Sequence, residues 1–343
     1  MDVSAAERAV TVRQLRRVWA LPATVLGRSG WPSTAGQRLH WHWNYWWQAH
    51  LLDTLVDAQL RAPSPARLAL IRAFVRSVRL RNFGRWTNDY YDDIAWLGLA
   101  LQRVSSLGID TGPALAAIDT QLLSGWTSAA GGGIWWRRGD DFKNAPANGP
   151  AAIFHARSGN LVRARSMTDW MSSTLVDPAS GLVWDGIRAG TGELVKHIYT
   201  YCQGVYLGAC LELSSVDEAA RTVRAVAEHL APGGVLRGQG GGDGGLFAAI
   251  LARYLALAAR ALPGPEAAVA RSLVLQSASA CWSGASETPD GPLFSAYWDR
   301  PAPGVPLPED APERDMSVQV GGWMLLEAAA TLSPDVAGPP VGG

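Results

Sequence analysis

Apolar residues recur at intervals of three and four along most of the 343-residue chain, and strict apolar–polar alternation is scarce. "RLALIRAFVRSVRL" shows the helical spacing, and "DEAARTVRAVAEHL" sets an apolar stripe against a plainly polar face. This pattern predicts twelve helices, at 5–19, 42–61, 65–80, 90–107, 112–126, 146–158, 160–176, 200–214, 216–230, 245–261, 265–282 and 317–331. Short links near 62–64, 108–111, 159, 215 and 262–264 join five successive pairs into antiparallel hairpins. Long segments (20–41, 81–89, 127–145, 177–199, 231–244 and 283–316) separate the pairs, and helices 317–331 and 5–19 can meet as a sixth. The prediction is an all-α (α/α)6 barrel of six hairpins, one domain over residues 1–335, with a disordered tail at 336–343. An open solenoid of helical hairpins fits the same periodicity, but no repeat of fixed length recurs, which ranks it second. In the barrel every long segment falls at one end, where a rigid scaffold can position functional loops.

Charge narrows the function. The chain has 30 Lys+Arg against 30 Asp+Glu, a balance that gives no reason to expect nucleic acid or an anionic membrane as partner. No run approaches the roughly 18 apolar residues of a membrane helix, so no membrane span is expected. "MDVSAAERAVTVRQLRRVWALP" lacks the uninterrupted apolar core of a signal peptide, which predicts a cytoplasmic protein, or a secreted one if a leader has been removed. Cys202, Cys210 and Cys281 make no disulfide framework. Cys202 and Cys210 share one predicted helix about 12 Å apart, too far to bridge. No Cys-x-x-Cys or His-x-x-x-His spacing suggests a metal, and neither metal nor cofactor is predicted. A monomer is expected.

Tryptophan changes the picture, with 16 copies. Indole is bulky and its N–H needs a partner when buried, so core packing rarely calls for so many. Many sit beside Gly, Asn and Asp in loop-like stretches, where flat rings edged with hydrogen-bonding groups suit the apolar faces and hydroxyls of sugars. A Trp-heavy core is the alternative. In "GGGIWWRRGDDFKNAPANG" (131–149), Trp135 and Trp136 offer stacking faces while Asp141, Lys143, Asn144 and Asn148 offer hydrogen bonds. A polar loop held by aromatic anchors would read the same way. "NDYYDDIAWLG" (88–98) places Asp92 and Asp93 side by side before an apolar helix. They fit a catalytic carboxylate pair, in which crowding raises one pKa, and equally the acidic first turn that favours any helix N-terminus. Asp140 and Asp141 compete for the same role. "RGQGGGDGG" (237–245) lacks the Gly-Lys-Ser/Thr ending of a phosphate loop and reads as a flexible rim loop. Of the six scattered histidines, only His197 falls near the rim.

Four stretches in series, "NDYYDDIAW", "GGGIWW" running on to "KNAPANG", "TYCQGVYLGACLEL" and "RDMSVQVGGWMLLEAAA", resemble glycoside hydrolase family 76, the α-1,6-mannanases, over roughly residues 42–331. The resemblance implies an (α/α)6 barrel and cofactor- and metal-independent hydrolysis of α-1,6-mannosidic bonds in mannan or manno-oligosaccharide. It also implies retention of configuration through a glycosyl-enzyme intermediate. Carried over, Asp92 would be the nucleophile and Asp93 the general acid/base, which answers the question of the acidic pair on resemblance more than on spacing. Asn88, Tyr90, Tyr91, Trp135, Trp136, Trp184, Tyr201 and Trp298 join the expected substrate cleft, with Asp141, Lys143, Asn144, Asn148, Asp185 and Gln203 reading hydroxyls. Endo-action is expected. Two departures stand out: Trp96 is followed by Leu97 where the family usually shows a second tryptophan, and Cys202 stands in the Tyr-Asn-Gln-Gly stretch in place of asparagine. The rivals are another (α/α)6 sugar enzyme, an unsaturated uronide hydrolase (for which Arg137 and Arg138 leave room) or an epimerase, and a non-catalytic glycan-binding protein.

Overall fold

Twelve long helices of the computed structural model, which describes residues 1–333, fall where the periodicity places them. They are α1 (Val3–Gln14), α3 (Tyr45–Arg61), α4 (Pro65–Arg81), α5 (Tyr91–Ser105), α6 (Gly112–Ser124), α7 (Ala145–Arg157), α8 (Leu161–Thr174), α9 (Thr200–Glu212), α10 (Val216–His229), α11 (Gly244–Ala261), α12 (Pro265–Ser283) and α13 (Met316–Ala330). A single turn, α2 (Ala35–Arg38), is added in the first long segment, and the tail expected to be disordered lies outside the described residues. Local chemistry sets the starts. Ser64 caps α4 by accepting from the Arg67 amide, with Pro65 following, and Asn160 caps α8 through the Arg163 amide. On α10 the polar face meets solvent while Ala219, Thr222, Val223 and Val226 are buried, the spacing of one helical stripe. The one clear shortfall is α1, which ends at Gln14 rather than 19. Leu15 and Arg16 (β1) instead pair antiparallel with Gly27 and Leu26 (β2), and Trp19 takes a left-handed backbone at φ 49°.

The inner helices α3, α5, α7, α9, α11 and α13 each pack against the next, and α13 packs against α3. That contact closes the ring and excludes the open solenoid. The outer helices α4, α6, α8, α10 and α12 lie on their hairpin partners, and α1 lies on α13 as the sixth pair. Small residues let inner helices touch backbone to backbone: a Cβ at Gly204 of α9 would stand 2.9 Å from Leu251 Cα of α11, and one at Gly321 of α13 would stand 2.3 Å from the Gly245 carbonyl. α11 is long and apolar enough to cross a membrane, but it sits between α9 and α13 with most of its length buried. Nearer the opposite end, Asp53 and Asp57 of α3 are paired with Arg103 of α5 and Arg253 of α11, with Arg253 Nη2 2.5 Å from Asp57 Oδ2. Removing one partner of such a buried network costs about 3–5 kcal/mol, because an unpaired charge is left behind.

The rim loops are held by a repeated device. In α3, α7, α9 and α13 the fourth residue is an amide, Gln48, Asn148, Gln203 or Gln319. Each side chain accepts from one backbone N–H of the preceding loop and donates to the carbonyl of that same residue: Gly27, Ile134, Val183 and Phe294, respectively, at 2.7–3.0 Å. A buried peptide group is thereby satisfied on both sides. Beside these clamps, β3 (Phe142–Asn144), β4 (Gly186–Arg188) and β5 (Glu193–Val195) form a small antiparallel sheet that ties loop 125–144 to loop 175–199.

Candidate active site

At the loop-bearing end of the ring a cleft of about 340 Å³ is lined by Trp46, Tyr90, Asp92, Asp93, Trp96, Trp136, Tyr201, Asp243 and Phe247. Asp92 and Asp93 are the second and third residues of α5, where free backbone N–H groups favour anions. The segment before them is fixed by strand-like pairing. The Tyr91 amide donates to the Trp136 carbonyl (2.9 Å), the Arg138 amide to the Asp89 carbonyl (2.8 Å), and the Trp136 amide to the Phe142 carbonyl (2.8 Å). This pairing extends the small rim sheet up to the acidic pair and aims the Trp136 indole at it.

The two carboxyls have different partners. Asp92 Oδ1 accepts from the Asp93 backbone amide (2.9 Å) and Oδ2 from Trp136 Nε1 (3.0 Å). Asp93 Oδ2 accepts from Asn88 Nδ2 at 2.6 Å. Burial raises both pKa values, Asp92 to about 7 and Asp93 well above the usual carboxylate range. The two N–H donors hold Asp92 down, whereas Asp93 also faces the Asp92 charge, and Asp243 pushes both upward. The pair therefore sheds one proton before the other and holds a mixed state near neutral pH. Asp243 itself accepts from the indoles of Trp46 (3.0 Å) and Trp47 (2.8 Å). Aromatic rings gather in two groups: Trp136 meets Tyr90 edge-on at 5.2 Å, while Tyr201 stacks on Phe247 at 3.9 Å with Trp46 and Trp96 alongside.

The chain matches the sequence profile of Glycosyl hydrolase family 76 over residues 24–317. It belongs to that family. Its fold matches the GH76A alpha-1,6-mannanase from Salegentibacter sp. HEL1_6 with a TM-score of 0.84 at 31% identity, covering 96% of this chain and 99% of that one. An inactive variant of that enzyme, with two consecutive aspartates changed to asparagine, matches at 0.84 and 30% identity over the same shares and is in complex with alpha-1,6-mannotriose. A protein from Listeria innocua matches at 0.83 with 27% identity, covering 96% of each chain. No curated protein matches the chain at a significant level. Family membership makes this chain a glycosidase.

Among the residues singled out from the sequence of this family 76 glycosidase, Tyr90, Asp92, Asp93, Trp136 and Tyr201 line the cleft, and Asn88 holds Asp93 from behind. Asp185 lies beside Tyr201, whose hydroxyl feels its charge; burial pushes Asp185 up to about 6 against the pull of His197 and Arg188. The structure takes others elsewhere. Tyr91 and Trp298 are buried in the core, and a Cβ at Gly125 would stand 2.7 Å from the Tyr91 ring. Asp141 is exposed, with Arg188 at 3.0 Å. Trp184 lies under Lys196 and Trp135 under Lys143, each at 4.5 Å. Lys143 is fully buried and its ammonium donates to Thr127, Ala129, Gly132 and Gly133, knotting the glycine-rich turn; burial pulls it down to about 8, while these oxygens favour the charged form. Asn144 caps α7 through the Ala147 amide, and Asn148 and Gln203 are the loop clamps of α7 and α9. These polar groups are committed to the backbone rather than to a ligand.

Three cleft residues went unrecognised in the sequence, Trp46, Asp243 and Phe247, and Trp96 was noted beside the acidic pair without being assigned to the cleft. The signal for Asp243 was present, an acid opening a helix inside "RGQGGGDGG". That loop is packed rather than slack. Gly242 sits at φ 57° with its amide on Asp315 Oδ2 (2.6 Å), and a Cβ at Gly241 would stand 2.6 Å from Pro312 Cβ. Among the described residues no cluster of three His, Cys, Asp or Glu could hold a metal.

Proposed function

We propose that this chain is an endo-acting α-1,6-mannanase that retains anomeric configuration, with Asp92 as nucleophile and Asp93 as general acid/base. The observation that carries the reading is the unequal environment of two adjacent half-buried carboxyls in a cleft of aromatic rings. Asp92, held by two N–H donors, is the group that ionises first; Asp93 keeps its proton. In the first step an Asp92 oxygen attacks the anomeric carbon, the bond to the glycosidic oxygen breaks, and Asp93 delivers its proton to that leaving oxygen. In the second, Asp93 takes a proton from water, whose oxygen displaces Asp92 and returns it as carboxylate. The substrate class is supported by the likeness to the Salegentibacter alpha-1,6-mannanase, whose inactive double aspartate variant holds alpha-1,6-mannotriose. Aromatic groups at Tyr90–Trp136 and at Trp46–Tyr201–Phe247 offer separate platforms for a chain laid along the cleft, which favours internal cleavage. The test is incubation of wild type and Asp92→Asn with linear α-1,6-mannan, with product sizes followed by chromatography and the released anomer by NMR. Short oligosaccharides appearing as the α-anomer with wild type alone support the proposal. First-formed β-anomer would refute retention, and intact polymer in both samples would refute the substrate.

A further inference from the structure

Away from the cleft, two large rings stand almost free in solvent: Trp41 is 72% exposed and Phe83 79%. The fold holds them there deliberately. Arg81, at the end of α4, donates from Nε to the His40 carbonyl (2.7 Å) and from Nη2 to the Trp41 carbonyl (3.1 Å). Its guanidinium lies 5.7 Å from the Phe83 ring, 5.2 Å from Trp43 and 5.9 Å from Trp19. One cation therefore contacts segments 19, 40–43 and 83 together. His40 and Phe83 adopt left-handed backbones (φ 54° and 53°), uncommon for bulky residues and costly enough to need surrounding contacts.

This face continues toward the acidic pair. A groove of about 460 Å³ is lined by Asn82, Phe83, Arg85, Thr87, Asn88 and Asp89. It begins at the Phe83 ring and ends at Asn88, the residue that donates to Asp93. Four residues lie between the two, so the ring's backbone lies within about 18 Å of Asn88 even at full extension. The groove is mixed in character, an exposed ring followed by amide, hydroxyl, guanidinium and carboxylate groups. Flat apolar faces beside hydrogen-bonding groups match the C–H faces and hydroxyls of a sugar chain, and Asp89 at the end of the groove is followed in the chain by Tyr90 of the cleft.

We propose that the Trp41–Phe83 face and its groove form an accessory binding surface for polysaccharide, capturing a stretch of the α-linked mannose chain outside the cleft. The ligand class rests on the mannanase reading above. The experiment uses the full chain, a Trp41→Ala/Phe83→Ala double variant, long linear α-1,6-mannan and α-1,6-mannotetraose. The KM for polymer should rise about tenfold in the double variant, the scale of losing an aromatic anchor, while kcat and the rate on the tetrasaccharide stay unchanged. An unchanged polymer KM, or equal losses on both substrates, would overturn the proposal. Electrophoresis through gels containing the same mannan separates binding from turnover: wild type and Asp92→Asn should be retarded and the double variant released. Cleavage with no retardation of any form overturns the surface and leaves the mannanase reading standing. Retardation without cleavage by wild type does the reverse. A wild-type dimer that the double variant breaks, seen by sedimentation, would assign the face to self-association instead.

Discussion

Changing Asp92 to asparagine should abolish turnover and, above neutral pH, make the protein more stable. In the folded protein burial carries the Asp92 carboxyl from 3.8 to about 7. A group whose folded pKa is raised contributes stability that is complete below its unfolded pKa and is lost as pH rises through the folded one. Wild type therefore loses stability between about pH 4 and pH 7 on account of Asp92, and the amide variant does not. At about 1.36 kcal/mol per pH unit the interval sets a ceiling near 4 kcal/mol. Asparagine keeps one oxygen for two donors, the Asp93 amide and the Trp136 indole, so about 1 kcal/mol is forfeited at every pH. The variant should thus melt slightly below wild type at pH 4 and higher by about 3–4 °C at pH 8, given roughly 0.7 kcal/mol/K of unfolding entropy for a chain this long. Turnover on α-1,6-mannan should fall by more than about 10³-fold. Scanning calorimetry from pH 4 to 8 on both proteins is the assay. A difference in melting temperature independent of pH would refute the assignment of a strained, half-neutralised carboxyl at position 92.

The same pair should give kcat/KM an acid limb near pH 7 and an alkaline limb set by Asp93, read from a pH series; a flat profile from pH 5 to 8 would contradict the assigned roles. Because Asp243 pushes both carboxyls upward, Asp243→Asn should move the acid limb to lower pH, and a limb that stays put would place Asp243 outside their field. Gln203→Leu should cost about 3 kcal/mol or more in urea unfolding, since the Val183 peptide and the Tyr199 carbonyl lose their buried partners; lost mannan affinity at unchanged stability would instead make Gln203 a sugar contact. Asp53 is held at about 2 by Arg103 and Arg253 against the desolvation of burial, so about 2 kcal/mol of stability is present above pH 4 and lost toward pH 2. Urea midpoints at pH 4 and pH 2 should converge for wild type and Asp53→Asn, and parallel midpoints would exclude that contribution.

The helices were legible because a barrel of hairpins writes its inner and outer faces directly into spacing of three and four. Closure was legible from link lengths, and the contact between α13 and α3 bears it out. α1 was read too long because the local pattern of residues 15–19 does not reveal that Leu15 and Arg16 have strand partners in Gly27 and Leu26. The polar residues of the rim were harder to read for a physical reason. A long loop carries unpaired backbone donors and acceptors, and amides such as Asn148 and Gln203 satisfy them as readily as they would a hydroxyl. Lys143, Asn144, Asn148 and Gln203 look like ligand contacts in sequence and are occupied by the chain itself. Trp46 was passed over for the opposite reason, since "NYWWQAH" reads as an ordinary apolar helix start.

Helix register explains where chemistry and scaffolding divide. The fourth residue of α3, α7, α9 and α13 is the amide that clamps its own preceding loop. In the two remaining inner helices the fourth residue is Ile94 or Phe247, and neither can clamp anything. Those two, α5 and α11, are the helices whose starts bring Asp92, Asp93 and Asp243 to the cleft. Their entering loops are fixed by other means, the Trp136 pairing for α5 and the Asp315 and Ser317 contacts on Gly242 for α11. Second positions show a matching pattern: Trp46, Asp92 and Tyr201 open α3, α5 and α9 one residue after the start, and all three face the same cleft. In α3 and α9 the second residue thus points into the mouth of the ring while the fourth points back at the loop, and in α11 the fourth, Phe247, itself lines the cleft. A half-buried, destabilising acid pair can persist at the mouth because four clamps and the ionic lock between α3, α5 and α11 hold the surrounding ring without involving either carboxyl.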